Sequence, residues 1–93
     1  MVDVRELFDL FEEDEHRFED VTEKSSTRSD LCAMLILDRL LPGNRDIICS
    51  AEHDMIYFNV DLEDLGNVAT VTDIHNLVRC GLMCDGDGLS TFV

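Results

Sequence analysis

Ten of the chain's 21 carboxylates lie between Asp3 and Glu23: Asp3, Glu6, Asp9, Glu12, Glu13, Asp14, Glu15, Glu19, Asp20 and Glu23. Only Arg5, Arg17 and Lys24 oppose them there, so half of the net charge of −14 falls on the first 24 residues. Crowded carboxylates attract a cationic surface. Wound as a single helix, Asp3 to Glu23 would rise about 30 Å, giving a carboxylate roughly every 3.3 Å, close to the ~3.4 Å charge spacing of one DNA strand. A nucleic-acid mimic has this outline, and so does a solvated face that only keeps a small protein dissolved. Glu12, Glu13, Asp14 and Glu15 in succession put like charges all round such a helix, a cost that a basic partner would relieve. Binding is therefore the reading carried forward. Its candidate contacts are Glu6, Asp9, Glu12, Glu13, Asp14, Glu15, Glu19 and Asp20, with Phe11 and Phe18 as apolar anchors where the stripe is partly exposed.

The other chemistry-bearing residues fit simpler roles. Asp85-Gly86-Asp87-Gly88 alternates acid and glycine as calcium loops do, but it lacks the third acid and the closing bidentate Glu, and a hairpin turn explains its glycines. Cys80, Cys84, His75, Cys49 and His53 are zinc-ligand types without C-x-x-C or H-x-x-x-H spacing. Cys84, His75 and Asp73 can be named as nucleophile, base and orienting acid, yet nothing in their spacing selects them. No phosphate loop, G-x-S-x-G, H-E-x-x-H or dinucleotide fingerprint is present. We expect no enzyme activity, no cofactor and no metal. Tyr57 and Phe58 point to opposite faces of a strand and are expected in the core.

The totals bound the rest. A chain of 93 residues with 45% hydrophobic and 30% charged residues, one Pro and five Gly is a single folded domain and not an acidic disordered tail. An isoelectric point near 4.2 argues against direct binding of nucleic acid or an anionic membrane, which need clustered positive charge. The expected partner is a basic protein. No apolar run approaches a membrane span. The opening Asp3, Arg5 and Glu6 do not resemble a secretion signal, so the cytoplasm is the expected location and the four cysteines are expected as reduced thiols.

Positioning these residues requires seven elements. Val4, Leu7, Phe8, Phe11, Phe18 and Val21 recur at helical spacing, with Asp3 as N-cap and Lys24-Ser25-Ser26 as the stop. Asp14 to His16 interrupts the stripe, where the helix would bend or fray. Thr27 and Asp30 have capping-box spacing ahead of a core helix through Leu41, ended by Pro42 and Gly43. Asp46 to Ser50 and Met55 to Val60 read as strands flanking a loop at Ala51 to Asp54. Asp61 caps a short helical turn through Leu65, with Gly66 and Asn67 closing it and Val68 to Val71 ambiguous. Thr72 caps a clearer helix ending at Gly81, and Leu82 to Cys84 pairs with Leu89 to Val93. The sum is an α+β fold, with residues 1–24 forming the acidic amphipathic helix and residues 27–93 the core. In it the acidic helix, the core helix and one further helix cover one face of an antiparallel sheet of about four strands. Val93 ends the last strand, which is expected at a sheet edge open to a partner strand.

The runs Ser26 to Leu31 and Ala51 to Asp61 resemble small acidic proteins encoded by bacteriophages or prophages, a group of unassigned function. The likeness continues through Leu77 to Gly81 and Leu89 to Val93, covers about two-thirds of the chain from Ser26 onward, and carries no catalytic motif. The acidic first 24 residues are an addition to it. The resemblance implies a non-enzymatic accessory product that binds and inhibits a nucleic-acid-handling host protein, as anti-CRISPR and other anti-defence proteins of similar size and charge do. It implies no particular site residues. The competing expectation is a self-assembling homodimer with Phe8, Phe11 and Phe18 at the seam and the acids merely facing water.

Overall fold

The computed structural model describes residues 1–11, 18–21, 24, 26–85 and 88–92. Its order is α1 (Val4–Phe11), a 3-10 turn (Phe18–Asp20), α2 (Ser29–Leu40), β1 (Ile48–Glu52), β2 (Met55–Phe58), α3 (Leu62–Val68), α4 (Val71–Arg79), β3 (Met83–Asp85) and β4 (Gly88–Phe92). Four helices and a four-stranded antiparallel sheet among the described residues make the α+β fold expected.

Among the described residues the first helix covers Val4–Phe11. Asp3 caps it as expected, its Oδ1 accepting the Glu6 N–H at 3.1 Å. Phe18–Asp20, expected to continue the α-helix, forms a 3-10 turn in which the Val21 N–H donates to the Phe18 carbonyl. Val21, directly after this turn, is buried in the same core as Val4, Phe8 and Phe11.

α2 and α4 form the centre. Cys32, Ala33, Ile36, Leu37 and Leu40 of α2 are buried with Ile74, Leu77 and Val78 of α4. Each fully buried Leu or Ile is worth about 1.5–3 kcal/mol of transfer free energy. The helices run antiparallel: Arg39 near the end of α2 meets Asp73 in the first turn of α4, and two turns away Cys32 lies beside Cys80. The α2 cap differs from expectation, because Arg28 occupies the N-cap position with no side-chain bond and Thr27 plays no capping part. α4 begins two residues earlier than expected. Thr70, not Thr72, is its N-cap, in a reciprocal box with Asp73: Thr70 Oγ1 accepts the Asp73 N–H at 3.1 Å and Asp73 Oδ2 accepts the Thr70 N–H at 2.9 Å. Gly81 has φ +96° and closes the helix, its N–H donating to Val78 and that of Leu82 to Leu77.

Two short helices separate the hairpins, the expected turn at Asp61 running on to Val68 as α3. Asp61 caps α3 through the Glu63 and Asp64 N–H groups, and Gly66 lies within the helix instead of closing it. The first hairpin turns on His53 and Asp54 alone, both at positive φ as a two-residue type I′ connection demands, so β1 lies two residues later than expected. Strand order is β1-β2-β4-β3. The last strand is therefore internal, paired on both sides, and the edges belong to β1 and β3. By register Phe58, Leu89 and Cys84 share one face of the sheet, with Phe58 and Leu89 buried in the core, while Met55, Tyr57, Met83, Ser90 and Phe92 share the other.

Candidate electrostatic interaction surface

The apolar residues of α1 settle which of its acids face outward. Val4, Phe8 and Phe11 point inward, so Asp3, Glu6 and Asp9, spaced by three along the opposite side, are exposed. The chain ahead of the helix is fastened to α3. The Val2 N–H donates to the Gly66 carbonyl at 2.9 Å, and a Cβ on Gly66 would run into the Val2 carbonyl oxygen. Only glycine allows backbones this close. The contact brings Glu63 of α3 to the acids of α1, and Asp3, Glu6, Asp9 and Glu63 line one open groove of about 600 Å³, with Arg5 the one cationic side chain among its described lining. Asp61 and Asp64 extend the same acidic helix end, all exposed.

Glu63 was not among the sequence candidates. No linear signal marks it, because its partners lie more than fifty positions earlier and only the contact at Gly66 joins them. The remaining candidates divide. Glu6 and Asp9 sit in the groove, whereas Glu19 and Asp20 are exposed on the 3-10 turn, which the Arg79 guanidinium fastens to α4 by donating to the Asp20 carbonyl at 3.0 Å. Glu12, Glu13, Asp14 and Glu15 lie outside the described residues. Neither aromatic stands free as an anchor. Phe11 is 9% exposed and stacks on His75 with centroids 4.2 Å apart and rings 9° from parallel. Phe18 is half-buried, with the Lys24 ammonium 4.8 Å from its ring centre. Phe8 is buried in its own chain as well, so a dimer seam of Phe8, Phe11 and Phe18 would have to compete with the core.

The groups named for other chemistry are engaged elsewhere. Burial pushes the Asp73 carboxyl upward, but the Thr70 N–H, the Arg39 guanidinium 2.7 Å away and the Thr70 hydroxyl together hold it below the usual carboxylate range. Burial, then the neighbouring Cys32, pushes the Cys80 thiol up to about 12. Burial also raises Cys84, against the pull of Arg5 and with the help of Asp9 and Asp85. Both thiols are held protonated at neutral pH, the state that is poor in nucleophilicity. None of the four cysteines is in a disulfide; Cys32 and Cys80 are buried, Cys84 half-buried and Cys49 exposed. Among the described residues no three His, Cys, Asp or Glu side chains converge as a metal site, and Gly86 and Asp87 of the acid and glycine loop lie outside them. No described helix is long and apolar enough to cross a membrane.

Comparison with protein-family models, with curated proteins and with solved structures gave no match.

Proposed function

We propose that the chain is a non-enzymatic binding protein whose carboxylate groove engages a basic surface of a protein that handles nucleic acid. One observation carries the reading. Two helices distant in sequence are locked by a side-chain-free backbone contact so that Asp3, Glu6, Asp9 and Glu63 face outward around one groove. Like charges gathered around one groove repel, and a cationic partner relieves that repulsion. The phage resemblance adds the class of partner, a host defence protein whose basic cleft would otherwise hold nucleic acid. The described acids spread over α1, α3 and the 3-10 turn, and the mimicry proposed is of a charged patch.

Capture from a host lysate tests it. The wild-type chain should retain a basic partner at low salt and release it at about 0.5 M, where screening shortens to a few ångströms. The variant Glu6→Gln, Asp9→Asn, Glu63→Gln should fail to retain it. Equal recovery by both chains would rule the groove out.

A homodimer remains the second reading, and one feature favours it: β1 leaves its outer backbone edge unpaired. Light scattering at high protein concentration separates the two, since a monomer removes the dimer.

A further inference from the structure

A binding surface needs an apolar anchor as well as charge, and the aromatics of the stripe do not supply one. A hollow on the other side of Asp9 does. It has a volume of about 490 Å³, within the roughly 300–1,000 Å³ of ligand-sized clefts. Phe8, Met55, Leu82, Met83 and Phe92 give its apolar wall. Register explains how three of these meet. Met55 stands opposite Phe92 and Met83 opposite Ser90, so both methionines and the phenylalanine project from one face of the sheet around a small residue that leaves space. Phe92 is 66% exposed, which leaves its ring free for a visitor.

The charge of the hollow selects that visitor. Asp9 and Asp85 are its ionisable carboxylates, and its described lining holds no Lys, Arg or His. Arg5 approaches from α1 at Cys84, but Asp9 and Asp85 bracket the same thiol, so the local sum stays negative. Methionines adapt to long unbranched stems, and an exposed aromatic face attracts a cation. Asp9 also lines the carboxylate groove, which makes the two depressions neighbours across a single residue.

We infer that this hollow seats the side chain of an arginine or lysine flanked by apolar residues, belonging to the same basic partner that the carboxylate groove attracts. The inference rests on the proposed function and names the anchor position within it. A second copy of this chain is the rival occupant, and the net charge of −14 on each copy opposes it.

The four methionines make the test direct. Met1 lines the carboxylate groove, Met55 and Met83 line the hollow, and Met34 on α2 lines neither. The full chain labelled at its methionine methyls is titrated at low salt with a peptide of alternating Arg and Leu, and separately with the same peptide carrying citrulline for arginine. The inference expects Met55 and Met83 to shift with Met1 while Met34 stays still, and the citrulline peptide to shift none. Phe92→Ser and Asp85→Asn, both at exposed positions, should each weaken binding by about tenfold, the size of one charge-assisted contact. Shifts at Met1 alone, or unchanged affinity in both variants, would overturn the hollow and leave the groove standing. No shift anywhere would overturn both. Equal shifts with citrulline, or shifts at Met55 and Met83 that follow protein concentration without peptide, would overturn the cationic occupant.

Discussion

Replacing Gly66 by alanine gives a result whose sign separates two accounts of the N-terminal segment. In a helix interior Gly→Ala ordinarily stabilises by about 0.5–1 kcal/mol, because alanine loses less backbone freedom on folding. Here the new Cβ meets the carbonyl of Val2, a backbone atom that cannot rotate away. The chain must retreat, losing the Val2 to Gly66 hydrogen bond, worth about 0.5–1.5 kcal/mol, and loosening half-buried Val2 and buried Val4. Overpacking of this kind costs about 1–3 kcal/mol. The net expectation is a loss of about 1–3 kcal/mol, a fall in Tm of roughly 5–15 °C for a domain of this size. Gly43, with open space around its Cβ position, is the control, and Gly43→Ala should be neutral or mildly stabilising. Thermal and urea unfolding measure both. A Gly66→Ala protein more stable than wild type would show that the first residues are not packed on α3, and the groove would lose its foundation.

Asp73 is expected to make the protein acid-sensitive. Its folded pKa lies below the ordinary 3.8, so its contribution is complete above that value and disappears as pH falls through the folded one. Asp73→Asn should be the less stable chain at pH 7, and in urea titrations the gap to wild type should close as the pH is taken progressively below 3.8. Thr70→Ala should cost about 1 kcal/mol through loss of the cap, whereas Thr72→Ala should stay within about 0.5 kcal/mol, which thermal unfolding resolves. Thiol modification by an aromatic disulfide reagent should reach exposed Cys49 first and buried Cys32 and Cys80 only as the fold opens. A Cys80 that reacts as fast as Cys49 would contradict the helix packing.

Features set by neighbouring residues were legible in the sequence. Asp3, Asp61 and Gly81 act where local spacing placed them, because a cap is made within three residues of the side chain that makes it. The fold class followed from the same local signals. Features set by tertiary fit were not. The stripe from Val4 to Val21 keeps helical spacing throughout, and nothing in that spacing marks Phe18–Asp20 as a 3-10 turn. Thr70 and Thr72 are equally good caps in sequence, and the pairing of Asp73 with Arg39 on α2 favours the earlier start. The internal place of β4 depends on β2 lying nearer to it than any linear pattern reveals. Within the site, Glu6 and Asp9 were legible as exposed acids, but Glu63 and the hollow at Met55, Met83 and Phe92 exist only through long-range contacts.

The central claim is that the carboxylates of α1 and α3 act together as a site for a cationic partner. The most direct measurement is the affinity of the Arg and Leu peptide at about 0.05 M and about 0.5 M salt, for wild type and for Glu6→Gln, Asp9→Asn, Glu63→Gln. Wild type should lose tenfold or more on raising the salt, and the neutralised chain should bind weakly with a flattened salt response. The same affinity and the same salt slope in both chains would contradict the claim.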